Sequence, residues 1–209
     1  MTHDIAGSLG MLRKAAADGR IELFESDPAT AADVLARETE IRPYFDTIFW
    51  SAPPSYRALL AETNTLFCAR GDDAFRVLDA ADMAEVNLNL VHMPEGVSRD
   101  GARMLSTNHL VGFAAGRGEG VWCFDVSNPD LAGEYPVYYH HQDEPRARYL
   151  EDALSEDPAD DTPDLPSFGA WLEVMARAFT AAHPPEWLDA LGAPRLVSLA
   201  RRGVLRVDS

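Results

Sequence analysis

This 209-residue chain predicts an α+β fold, a mixed or antiparallel sheet with helices packed mainly on one face. Three observations carry that reading. Between 109 and 141, apolar runs of strand length alternate with short polar or glycine-rich connections, the pattern of adjacent antiparallel strands. Beyond them, Phe168, Trp171, Leu172, Met175 and Phe179 recur at i, i+3, i+4, i+7 and i+11, one stripe of an amphipathic helix that can cover such a sheet. Helical patterns also open and close the chain.

Taken in order, Asp4–Ala17 reads as a helix, with Asp4 as its N-cap and Asp18-Gly19 as its end. Ile21–Phe24 is short and ambiguous. Asp27-Pro28 opens a second helix running to about Glu40, because proline is tolerated at the first helical position, and Arg42-Pro43 stops it. Pro53-Pro54 opens a third, with Tyr56, Leu59 and Leu60 on one side. Leu66–Ala69 and Phe75–Leu78 read as strands around the turn Arg70-Gly71-Asp72-Asp73. Asp79 or Asp82 caps a helix to about Asn89. The 93–107 stretch is turn-rich and has no assignable element.

Leu110–Ala115 and Val121–Val126 form a hairpin across Gly116–Gly120. In the second strand, alternation puts Trp122, Phe124 and Val126 on one face and Val121, Cys123 and Asp125 on the other. Pro136–His141 is a third strand with proline at its start, where a missing N–H costs least. Ser167 is the expected cap of the closing helix. Fully burying each large side chain of its stripe contributes about 1.5–3 kcal/mol, so the stripe is core. After the punctuating His183-Pro184-Pro185, Pro185–Leu191 and Pro194–Arg201 read as short helices, ended at Gly192 and Gly203. The chain thus divides into an N-terminal helical extension (1–45), an α+β domain (46–182) and a C-terminal helical extension (183–209).

Four segments carry a resemblance: the helix start APPSYRALLAETN, the hairpin LVGFAAGRGEGVWCFDV, the short strand PVYYHH and the closing SFGAWLEVM. Their order is similar to that of the SUKH superfamily, which includes bacterial toxin-immunity proteins and fungal cell-wall-synthesis regulators. The likeness covers about residues 50–180. This chain has Asn64-Thr65 where the family commonly has Asn-Gly. The resemblance implies a non-enzymatic protein: an immunity protein that binds and blocks a toxin domain, often a nuclease, or alternatively an intracellular regulatory or scaffolding adaptor.

Charge bears on the same question. The net charge is −16 and the pI about 4.6. Such a chain repels nucleic-acid phosphates and attracts a basic protein surface. Residues 142–165 hold nine carboxylates against Arg146 and Arg148. That composition suits a solvated loop, and equally a docking surface for a cationic partner such as a basic toxin domain. The expected partner-binding carboxylates are Asp143, Glu144, Glu151, Asp152, Glu156, Asp157, Asp160 and Asp161, with Tyr138, Tyr139 and Tyr149 as exposed anchors.

No stretch approaches the roughly 18 apolar residues that span a bilayer, and MTHDIAGSLGMLRK does not resemble a signal peptide; a cytoplasmic protein without membrane contact is expected. Cys68 and Cys123, the only two cysteines, read as reduced core residues. Gly116–Gly120 lacks the features of a phosphate-binding loop, and no serine sits in a GxSxG elbow. His140-His141, with Asp143 and Glu144 close by, is the best metal candidate. Adjacent strand residues point to opposite faces, so one histidine is expected in solvent and one under the sheet. No catalytic residue, cofactor or metal is therefore expected.

Overall fold

The fold is described from a computed structural model, which covers residues 3–41, 50–90, 110–144 and 162–205. The turn-rich 93–107 stretch and Arg42-Pro43 lie outside these residues. Helix α1 (Ile5–Ala17) begins where the Asp4 carboxylate accepts the Gly7 N–H, and it buries Ile5, Leu9, Leu12 and Ala15. The ambiguous segment after it is a strand, β1 (Glu22–Glu25). Helix α2 (Ala31–Glu40) starts later than Pro28 predicts, because Thr30 and Asp33 close a capping box: the Thr30 hydroxyl accepts the Asp33 N–H and the Asp33 carboxylate accepts the Thr30 N–H.

Helix α3 (Pro54–Leu60) has proline in its first turn. Strands β2 (Leu66–Arg70) and β3 (Asp73–Val77) follow. Helix α4 (Ala80–Leu90) opens with the Asp79 carboxylate accepting the Asp82 N–H at 2.8 Å. Strands β4 (Leu110–Gly116), β5 (Val121–Asp125) and β6 (Val137–His140) complete the sheet. Helix α5 (Phe168–Thr180) is capped by the Ser167 hydroxyl, as expected, and a 3-10 turn (Leu188–Ala190) precedes helix α6 (Arg195–Arg201).

The six strands form one meander in the order β1-β2-β3-β4-β5-β6, every neighbouring pair antiparallel. Register lines up Leu66, Val77, Ala114, Trp122 and Tyr139 across one face. A bulge between Gly112 and Ala114 lets both Phe113 and Ala114 join that face's core. Phe113 stacks on Phe124 at 4.2 Å and meets the edges of Trp171 and Phe168 at 5.1 and 5.4 Å. Helices α1, α3 and α5 pack here, so the aromatic stripe is core.

The opposite face is covered differently. A smaller cluster of Leu90, Leu110, Val121 and Cys123, with Val86 against it, places the C-terminal half of α4 over β4 and β5. Farther out, Phe24 is 64% exposed and lies 6.0 Å from Phe67. The divisions at 45/46 and 182/183 separate no cores. Strand β1 belongs to the sheet, while Leu9 of α1 and Trp187, Leu188, Leu196 and Val197 of the C-terminal segment share the central cluster.

Two polar links hold the helices to this frame. The buried Arg37 guanidinium donates to the Tyr56 hydroxyl and to the carbonyls of Asp33, Asn64 and Leu78. Pro53 cannot cap α3, and Glu134, from the β5–β6 connection, does so by accepting the Ser55 N–H at 2.7 Å and the Ser55 hydroxyl at 2.6 Å. Ser55 Oγ in turn accepts the Gly169 N–H at 3.1 Å, which ties α3 to the first turn of α5.

Candidate functional site

Polar side chains converge at the end of the β5–β6 pair. Because Val121 pairs with His140, the residues just before β5 lie beside those just after β6. Gln142 donates to the Glu119 carboxylate across this junction. The Asp143 N–H donates to His141 Nδ1 at 3.2 Å, and an Asp143 carboxylate oxygen lies 4.0 Å from the same nitrogen. One donor atom each from Glu119, His141 and Asp143 falls within 4.8 Å of the others, with the imidazole buried and both carboxylates exposed. The Ser198 hydroxyl donates to Glu144 and joins α6 to the same corner.

The C-terminal segment clamps the hairpin tip. Gly118 and Gly192 have φ of +109° and +82°, in the left-handed region that suits glycine. The Gly120 N–H donates to the Gly192 carbonyl at 3.3 Å, and a Cβ on Gly192 would fall on the Arg117 carbonyl. Backbones approach this closely only without side chains between them.

On the α4 side of the sheet, a cavity of about 380 Å³ is lined by Val86, Leu90, Ala115, Val121, Glu119, His140 and Gln142, with Gly118 at the tip. His140 faces it and is 9% exposed, while His141 is 3% exposed. The expectation of one solvent-facing histidine is thus corrected. Both rings are buried, where alternation predicts one of them in solvent.

The tyrosine anchors need the same correction. Tyr138 is 2% and Tyr139 0% exposed, so neither can meet a partner at the surface. Tyr138 lies opposite Cys123 on the α4 face. Tyr139 packs 5.0 Å from Trp122 and donates to the Ala193 carbonyl at 3.2 Å, and burial pushes its phenol pKa up. The sequence pattern shows a strand of alternating faces; it does not show that the C-terminal segment returns to cover one of them.

Of the expected acidic residues, Asp143 is exposed and Glu144 half-buried. Tyr149, Glu151, Asp152, Glu156, Asp157, Asp160 and Asp161 lie outside the described residues. The flanks of that segment are placed. Asp143 and Glu144 follow β6 directly, and on the far side Asp164 accepts the Tyr139 N–H at 2.7 Å while Leu165 bridges Val137. Both ends of the acidic segment therefore sit against β6.

Cys68 and Cys123 are free and buried; burial pushes the Cys68 thiol up to about 12 and Cys123 higher still. Neither presents a thiolate at neutral pH. Sequence reasoning missed Glu119 as a neighbour of His141, although the hairpin register, once known, places it there. It also missed Arg37 and Glu134, whose roles depend on contacts across distant elements. No family model matches the chain, and no curated protein matches it. Among the described residues no helix is long and apolar enough to cross a membrane.

Proposed function

We propose that this chain is a cytoplasmic, SUKH-like immunity protein, a non-enzymatic binding protein that neutralises a basic toxin domain by covering its cleft with an acidic surface. The observation that carries the reading is the concentration of charge. Nine carboxylates against two arginines fall within 142–165, in a chain of net charge −16. On its flanks, Asp143 and Glu144 directly follow the edge strand β6, and Asp164 and Leu165 bond to it. A nuclease cleft shaped to hold phosphates is the kind of surface such a segment complements.

Three of the four resembling segments pack together, which supports the SUKH-like part of this reading. Ser55 and Tyr56 of the helix start meet Gly169 and Phe168 of the closing helix, the rings at 5.0 Å, over the β4–β5 hairpin. With Tyr138 and Tyr139 buried, the interaction rests on the acidic segment rather than on tyrosines of the strand.

The test is charge reversal. Asp143, Glu144, Asp160 and Asp161 changed together to lysine should slow association with the cognate toxin by about tenfold or more at low salt. The salt dependence of the on-rate should flatten as well. Unchanged association kinetics would refute docking through this segment.

A further inference from the structure

We propose that the cavity between α4 and strands β4–β6 is the socket for an arginine side chain of the toxin domain. Resting on the docking reading above, this socket supplies the anchor that buried Tyr138 and Tyr139 cannot.

The cavity holds about 380 Å³, at the small end of the range of about 300–1,000 Å³ in which proteins enclose ligand groups. Val86, Leu90, Ala115 and Val121 form its apolar wall. Glu119 and Gln142, bonded to each other where the β4–β5 tip meets the exit of β6, supply its polar part. A long basic side chain matches both parts, because its aliphatic stem lies on apolar surface while its head seeks a polar partner.

Charge selects the head group. Among the described residues around the cavity, Glu119 is the only carboxylate and no lysine or arginine is present. Gln142 donates to one Glu119 oxygen, and the carboxylate has a second that can accept from a guanidinium. An anionic head would meet this carboxylate with no cation to offset it. A guanidinium is also more weakly hydrated than an ammonium, so it enters a half-closed site at less cost.

The walls are already in place. The buried Asn87 side chain of α4 donates to the Gly112 carbonyl and accepts the Gly112 N–H, both at 2.9 Å, and donates to the Met83 carbonyl at 2.8 Å. A Cβ on Gly112 would lie 2.8 Å from Val121 and 2.9 Å from Leu90, so helix and strand meet there without room for a side chain. The amide of Asn87 thus fixes the spacing of α4 from β4, and the Gly118–Gly192 clamp fixes the tip. A preformed socket leaves little ordering to be done on binding.

Asp143 and Glu144 directly follow Gln142, so the cavity lies beside the start of the acidic segment. Exposed charges there would speed encounter, and the enclosed arginine would hold the complex.

The experiment has two arms. In the first, the full chain alone is titrated with N-acetyl-arginine methylamide, or with its citrulline counterpart of similar shape and no charge, and followed by backbone amide chemical shifts. The arginine compound should give saturable shifts at Glu119, Val121, His140 and Gln142 in the millimolar range, and citrulline should bind about tenfold more weakly. Ala115→Leu, whose larger side chain fills the cavity, should lose arginine binding while melting like the parent. Glu119→Gln, an exposed change, should bring arginine binding down to the citrulline level. In the second arm, Ala115→Leu should speed dissociation of the captured toxin domain about tenfold or more and leave the association rate and its salt dependence unchanged. Absence of saturable shifts at the cavity, or equal arginine binding by parent and both variants, would overturn the proposal. Unchanged toxin dissociation from Ala115→Leu would overturn it too; slowed association by the lysine variant in that case would leave docking through the acidic segment standing without this anchor.

Discussion

Replacing Arg37 with methionine should be among the most destabilising single changes in the chain. The guanidinium is fully buried and has four partners: Tyr56 Oη at 3.2 Å, Asp33 O at 3.1 Å, Asn64 O at 2.9 Å and Leu78 O at 3.2 Å. Asp33 O lies within α2 and keeps its helical partner. The Asn64 and Leu78 carbonyls and the Tyr56 hydroxyl lose a charged donor, and a buried polar group left unpaired costs about 1–3 kcal/mol. Methionine keeps much of the aliphatic packing, and the cost of burying the charge disappears. The balance is a loss of about 3–5 kcal/mol. For a chain of this size that lowers the melting temperature by roughly 6–20 °C. Urea unfolding followed by tryptophan fluorescence should show a lower midpoint at an unchanged slope. Arg37→Lys should recover only part of the loss, since an ammonium cannot reproduce the planar fork. A loss below about 1 kcal/mol for methionine would mean that these groups do not depend on Arg37.

Three other places in the structure give outcomes of their own. Hydrogen bonds from the Thr30 hydroxyl and N–H hold the Asp33 carboxyl below its usual range, so its charged form favours the fold; Asp33→Asn should lower the melting temperature at neutral pH, and the gap should narrow as pH falls below about 4. Burial and raised pKa values make Cys68 and Cys123 inert, so a thiol reagent at neutral pH should modify neither in the native protein and both in denaturant. A Cβ on Gly120 would fall on the hydroxyl and ring of buried Tyr139, and Gly120→Ala should cost about 1–3 kcal/mol or more by overpacking, measured by denaturant unfolding.

Local signals made much of the fold legible. Asp4 and Ser167 cap α1 and α5 as their types and positions imply, and the period of Phe168, Trp171, Leu172, Met175 and Phe179 marks the buried face. The glycine-rich connection marks the β4–β5 hairpin. Features that depend on distant partners were not legible. Strand β1 has only four residues, and its identity comes from pairing with β2 rather than from its own pattern. Pro28 suggested an earlier start to α2 than the Thr30–Asp33 box imposes.

At the site, alternation along β6 does not reveal that His140, His141, Tyr138 and Tyr139 are all covered. Glu119 and His141 stand 22 positions apart, and only the register Val121↔His140 brings them together.

Salt-graded capture is the decisive test of docking through the acidic segment. The tagged chain and its Asp143, Glu144, Asp160 and Asp161 to lysine variant would be used side by side on extract from the native cell, with eluates identified by mass spectrometry. One basic, toxin-like polypeptide should be held at low salt, released as salt rises and absent from the variant's eluate. Retention by the variant, or a set of housekeeping proteins indifferent to salt, would contradict it and favour the adaptor reading.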